Sequence, residues 1–207
     1  MKLINNVLTS SLSKAYRLEL IEYDFKLMLE PVKYNQHRGK ALTKAEQRDF
    51  LQVIEKSKYR NYFKFLLLTG CRRSEGLALR WCDIDTVSGL IYIHGTKTES
   101  SERVIFLSTL VVSVLDAQRE LQGEIVSELV FPYNPANVSH SFKNFCPQHK
   151  LHDLRHTFVT RCAESGVNIS VAQKLAGHSN INTTLQIYTH VTTEFQRKEF
   201  EKFDIWK

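Results

Sequence analysis

The sequence predicts a mainly α-helical α+β fold with one small antiparallel β-sheet, and three observations carry that prediction. Apolar residues recur at helical spacing both before and after the middle of the chain. One stretch, Asp83 to Leu107, is rich in β-forming residues and interrupted by Ser88-Gly89. Glycine and proline fall at the joints of the helical pattern, near Gly123, Pro132 to Pro135, Pro147 and Gly166.

Taken in order, residues 1 to about 30 read as helical, with Leu18, Ile21, Phe25 and Leu29 near one face. Pro31 and the polar stretch Tyr34 to Lys40 read as a linker. Thr43-Lys44-Ala45-Glu46 has the pattern of a capping box and opens a helix bearing Phe50, Leu51, Val53 and Ile54. A buried helix over residues 61–69 is expected to stop at Gly70, and a second to carry Arg72 to about Arg80. Three short strands follow, at Asp83 to Asp85, Leu90 to His94 and Arg103 to Leu107. From Ser108 onward the pattern is helical again. No internal repeat or low-complexity segment is present.

The chain has 207 residues, enough for one ordinary domain and a fragment of a second. With 43% hydrophobic and 24% charged residues it is globular rather than disordered. Lys+Arg number 28 against 22 Asp+Glu, a net charge of +6. The isoelectric point is near 9.1, which favours a polyanionic partner without identifying it. Cys71, Cys82, Cys146 and Cys162 form no CxxC pair, and no signal peptide precedes them, so reduced thiols in a cytoplasmic protein are expected. Apolar stretches such as Phe63 to Leu68 are far too short to span a bilayer.

On a helix starting near Leu151, the residues Leu151, Leu154, Phe158 and Cys162 share an apolar seam. His152 and Arg155 are each displaced by about 100° from that seam, so they are neighbours able to face one target. His152 and His156 also have the spacing of a zinc-binding helix, but Arg155 on the face of His152 would repel a divalent ion, and no third ligand motif is evident. No metal or cofactor is expected. Arg72 has Glu75 at i+3 to hold its guanidinium, whose planar fork suits a phosphate. A surface ion pair is the plainer reading of those two residues alone. Arg73 points elsewhere on the same helix and is less suited. Lys97, in Gly95-Thr96-Lys97-Thr98-Glu99, sits where a hairpin loop could deliver an ammonium to a leaving oxygen. Tyr188 is the candidate nucleophile. Its phenol, with an ordinary pKa of about 10, needs its proton removed or a field of cations. Arg72, Arg155, His152 and His178 are the groups that could supply that field.

In this order, Gly70-Cys71-Arg72-Arg73-Ser74-Glu75, Thr96-Lys97-Thr98, His152-x-x-Arg155-His156, Gly177-His178 and Tyr188-Thr189-His190 resemble the boxes of the tyrosine recombinases, the phage-type integrases. The resemblance runs from about Ala41 to His190. It implies a tyrosine recombinase catalytic domain at 41–207, a linker at 31–40, and C-terminal helices of a DNA core-binding domain at 1–30. It further implies that Tyr188 attacks a scissile phosphate to form a 3′-phosphotyrosyl link and free a 5′-hydroxyl. Arg72, Arg155 and His178 would bind the phosphate, Lys97 would protonate the leaving oxygen, His152 would assist proton transfer, and Glu75 would support Arg72. Implied partners are double-stranded DNA attachment sites, a homo-tetramer assembled on DNA, and accessory DNA-bending proteins. Phe195, Phe200, Phe203, Ile205 and Trp206 could dock on a neighbouring protomer or pack on their own domain. With most of the core-binding domain unrepresented, weak and salt-sensitive DNA binding is expected. Two other readings use the same fold: relaxation of supercoils, as in type IB topoisomerases, and a non-catalytic DNA-binding regulator.

Overall fold

The structure, a computed structural model, describes residues 2–29, 39–95, 102–123, 127–178, 181–182, 184–185 and 187–189. The chain divides into two compact units, Met1–Arg38 and Gly39–Lys207.

In the first unit, α1 spans Lys2–Arg17, and a short 3₁₀ turn follows at Phe25–Met28. The expected helix to about residue 30 therefore stops early. Glu19 adopts a left-handed φ of 56°. The Leu20 N–H then reaches back to the Ala15 carbonyl, and the Glu19 N–H to that of Tyr16. This reverse pairing satisfies the last carbonyls of α1 and turns the chain out of the helix. Leu18, Ile21, Phe25 and Leu29 consequently share no helical face. Leu3, Ile4, Val7, Leu18, Leu20 and Tyr23 are exposed.

The second unit opens with α2, Lys44–Val53, whose capping box is formed as expected: Thr43 Oγ1 accepts from the Glu46 N–H, and Glu46 Oε2 accepts from that of Thr43. Helix α3, Arg60–Thr69, ends at Gly70 in the left-handed conformation. It presents Tyr62, Phe63, Phe65 and Leu66 to the core, each at most 2% exposed, and packs against both α5 (Thr109–Gln122) and α7 (Asp153–Glu164). Phe63 meets Phe50 of α2 and Phe142 of α6 (Pro135–Phe145), with ring centroids 6.0 and 5.7 Å apart. Helix α4 is shorter than expected, Arg73–Ala78, with Arg72 at its N-cap. The Tyr62 hydroxyl donates to the Arg73 carbonyl at 2.8 Å and so ties the start of α4 to α3.

The strands β1 (Ile84–Asp85), β2 (Leu90–Ile93) and β3 (Arg103–Phe106) form an antiparallel sheet in the order β1-β2-β3. Ile91, Ile93 and Ile105 face the core while Tyr92, Val104 and Phe106 face outward, the alternation of a half-buried sheet. Residue Ile93 pairs with Arg103, so that arginine shares the inward face. Beside β3 lies α8, Ile169–Ala176. Its start is capped by Asn168 and its end by left-handed Gly177.

Helix α7 is anchored to the beginning of this unit. Thr157 Oγ1 accepts from the Leu42 N–H at 2.9 Å and donates to the Asp153 carbonyl at 2.7 Å. Arg161 donates to the Leu42 carbonyl and to Gln47. No helix among the described residues is long and apolar enough to cross a membrane.

Candidate active site

The αL turn at Gly70 starts the site. Its φ of +66° suits glycine, and a Cβ there would lie 2.4 Å from the Phe158 ring. Two residues on, the Arg72 N–H is capped by Glu75 Oε2 at 2.8 Å, and Arg72 Nη1 donates to Glu75 Oε1 at 2.5 Å. The i, i+3 pairing expected from the sequence is thus present, but Glu75 is 3% exposed, so it is no ordinary surface ion pair. Arg72 Nη2 reaches the Gly177 carbonyl at 2.6 Å, across 105 positions of sequence.

Arg155 heads the largest fully buried side chains, at 2% exposure. Its Nη1 donates to the Gly70 carbonyl at 2.9 Å and its Nε to His178 Nε2 at 3.2 Å. Nη2 is buried with no acceptor among the described residues. Burial first, then the neighbouring Arg72, lowers its pKa to about 9, with Glu75 opposing. The seam expected along α7 is shifted accordingly. Leu154, Arg155, Thr157 and Val159 lie deepest, whereas Phe158 and Cys162 are half-buried. Arg155 can be carried inside because Gly70 and His178 take two of its donors.

With Nε2 accepting from Arg155, the His178 proton resides on Nδ1, which is 2.9 Å from Thr184 Oγ1. Burial first, then Arg155 and Arg72, holds His178 at a pKa of about 3. His152 stands at the N-cap position of α7, its ring edge-on to His156 with centroids 5.0 Å apart. Its outer edge meets solvent, yet burial of the rest of the ring, then His156 and Arg155, lowers its pKa to about 4. Both histidines are neutral at physiological pH. A cleft of about 560 Å³ runs beside His152, lined by Arg73, Ser139, Lys143 and Lys150 among others. Arg73 donates to Ser139 at 2.9 Å and stays outside the Glu75 cluster.

Tyr188 stands elsewhere. Its hydroxyl donates to the Val167 carbonyl at 2.8 Å, just beyond the C-terminal end of α7, whereas His152 stands at the other end. At 1.5 Å per residue, the helix between them is about 18 Å long. Burial first, then the Cys162 thiol, pushes the phenol up to about 12. That is opposite to the effect of the cationic field expected from the sequence. The structure therefore brings together Arg72, Glu75, His152, Arg155 and His178, and holds Tyr188 away from them. Lys97 and the apolar residues Phe195, Phe200, Phe203, Ile205 and Trp206 lie outside the described residues.

One member of the cluster escaped the sequence reading. Arg103 Nη2 donates to Glu75 Oε2 at 2.8 Å and its Nε to the Leu175 carbonyl at 2.8 Å. The available signal was its place two residues before Ile105, on the inward side of a strand.

Comparison with known proteins gives a consistent result. A model of the phage integrase family matches residues 40–194. Tyrosine recombinase XerA of Thermococcus onnurineus is 33% identical over 211 residues, covering 95% of this chain and 74% of that protein. Among solved structures, the Tn1549 transposon integrase in complex with a circular intermediate DNA matches with a TM-score of 0.78 at 22% identity, over 98% of this chain and 78% of that one. A lambda integrase tetramer bound to a Holliday junction matches at 0.71 and 23% identity, over 86% of this chain and 58% of that one.

Proposed function

The chain belongs to the phage integrase family, the tyrosine recombinases, and from that membership we propose how its residues carry out site-specific DNA strand transfer. The protein is a DNA strand transferase, and the observation that carries the assignment of roles is the convergence of Arg72, Arg155 and His178. These groups come from three distant segments and meet around Glu75 and Gly177. One buried guanidinium donor of Arg155 has no acceptor among the described residues. A non-bridging phosphate oxygen is the natural acceptor for such a donor.

In this proposal Arg72 and Arg155 hold the non-bridging oxygens of a scissile phosphodiester, and His178 lies against the same group. The Tyr188 oxygen forms a bond to phosphorus as the bond to the 5′ oxygen breaks. The phenolic proton leaves with assistance from His152, neutral and able to accept it. Lys97, between β2 and β3, gives a proton to the departing 5′ oxygen. A 5′-hydroxyl of a second strand then attacks the 3′-phosphotyrosyl link, restoring the tyrosine and a phosphodiester.

Tyr188 must first leave the Val167 carbonyl. Breaking that hydrogen bond costs about 1 kcal/mol, and the cationic site would reverse the upward shift of the phenol. The inactive placement is therefore compatible with the role. Double-stranded attachment sites are the proposed substrate, with Arg73, Lys143 and Lys150 in the cleft beside His152 as backbone contacts. The likeness to an integrase tetramer on a Holliday junction supports assembly of four protomers on DNA. Residues 1–30 are proposed as helices of a core-binding domain, 31–40 as linker and 41–207 as the catalytic domain. The division of the chain at Arg38 and Gly39 and the exposed apolar residues of α1 support that reading.

Covalent trapping tests the proposal. Wild-type protein and Tyr188→Phe are incubated, without metal, on nicked duplexes carrying the element's attachment site and quenched in SDS. A protein–DNA adduct absent from the variant is expected. An adduct that persists in Tyr188→Phe would remove Tyr188 from the nucleophile's role.

A further inference from the structure

We propose that Arg103 is the positioning residue of this site: through Glu75 it sets Arg72, and through the end of α8 it sets His178. The proposal deepens the strand-transfer reading and rests on it.

The sheet delivers Arg103 to this position. It stands opposite inward-facing Ile93 and two residues before inward-facing Ile105, so its side chain is directed under the sheet toward α8. There the guanidinium divides its donors. Nη2 goes to Glu75 Oε2 at 2.8 Å and lies 3.6 Å from Cys71 Sγ, while Nε goes to the Leu175 carbonyl at 2.8 Å. Nη1 is buried without an acceptor among the described residues. The same Glu75 carboxylate caps and holds Arg72, whose other arm takes the Gly177 carbonyl. Arg72 and Arg103 thus close a ring through Glu75 and the last carbonyls of α8, immediately before His178.

The charge balance explains why both ends of Glu75 are taken. Arg72, Arg103 and Arg155 bring three positive charges and Glu75 one negative, a local excess of two. Without Arg103, Glu75 Oε2 would keep only the Arg72 N–H, and the carboxylate would answer to Arg72 and to Arg155, the other guanidinium that feels its charge. Its plane, and with it the direction of Arg72, would be less firmly set. A planar fork suits this place, because Arg103 serves the carboxylate from Nη2 and the helix carbonyl from Nε, whereas an ammonium would have to reach both from a single atom. Gly177 completes the fit. It is left-handed (φ +68°), and a Cβ there would lie 2.9 Å from Arg103 Nη1. The close approach of arginine to helix end leaves no room for a side chain.

The test compares wild type, Arg103→Gln and Arg103→Lys in single-turnover adduct formation on nicked attachment-site duplexes. The scissile group is either a phosphodiester or a neutral methylphosphonate, which lacks the charge Arg72 is positioned to meet. On the phosphodiester, both variants should be slower by roughly 10- to 100-fold, the span of coupling within one hydrogen-bonded network. On the methylphosphonate the loss should shrink to within about threefold. DNA affinity should be little changed, because the Arg103 side chain is only 8% exposed. Equal losses on both substrates, or full activity of Arg103→Lys on the phosphodiester, would overturn the proposal. Should Arg103→Gln fail to fold, Arg103→Lys retains the charge and carries the comparison. Failure of the wild type on both substrates would instead count against the strand-transfer reading. The positioning claim is then decided by side-chain NMR of Arg72. Slowly rotating guanidinium signals present in wild type and lost in Arg103→Lys support it, and unchanged signals overturn it.

Discussion

Replacing Glu75 by glutamine tests the electrostatic centre of the site in a way that does not depend on DNA. Burial raises the affinity of this carboxyl for its proton, but the hydrogen bonds from Arg103 and the Arg72 N–H, the charge of Arg103 and the hydrogen bond from the Arg72 guanidinium outweigh it. The net effect lowers its pKa from 4.5 to about 2. A shift of that size corresponds to about 3 kcal/mol of folding free energy. The sign follows from the depressed folded value. The contribution is fully present above the unfolded pKa of about 4.5 and is lost as pH falls toward about 2. Glutamine keeps one acceptor oxygen but leaves the cations unneutralised, so Glu75→Gln should lose about 2–4 kcal/mol at pH 7. Urea denaturation followed by tryptophan fluorescence at pH 7, 5, 4 and 3 measures the difference. The gap between wild type and variant should narrow by about 1 kcal/mol or more between pH 5 and pH 3. A gap that stays constant over that interval would refute the reasoning, because it would mean that Glu75 carries no perturbed charge.

Two further outcomes are expected. Thr157→Val removes the acceptor of the buried Leu42 N–H while preserving shape, and should destabilise the protein by about 1–3 kcal/mol by thermal or chemical denaturation. His152 and His178, at about 4 and 3, should remain neutral at pH 5 in the free protein. Since the unfolded chain takes up those protons near pH 6.5, stability should begin to fall as pH drops below that value. Imidazole NMR titration checks this, and rings that titrate near 6.5 would contradict it.

What the sequence by itself determined is local. The Thr43 capping box, the stop at Gly70 and the i, i+3 reach of Glu75 to Arg72 depend on interactions within a turn or two of the chain, and the three strands announced themselves by local composition. Nearest-neighbour physics suffices to read them. The order of the boxes along the chain was legible too, and through resemblance it pointed to the family. The helical spacing of Leu18 to Leu29 misled because periodicity does not register a single left-handed residue, here Glu19.

Tertiary structure alone decided the rest. The depth of Arg155 depends on acceptors 85 and 23 positions away, at Gly70 and His178. Arg103 looks like an ordinary strand residue until the sheet register turns it under β3 and toward Glu75. The sequence also could not say that the Tyr188 hydroxyl rests on Val167 rather than among the cations it was expected to join. The type of a side chain states what chemistry it can perform. Where it stands is set by long-range packing, in which each donor takes the acceptor that the fold, and not the neighbouring sequence, brings within reach.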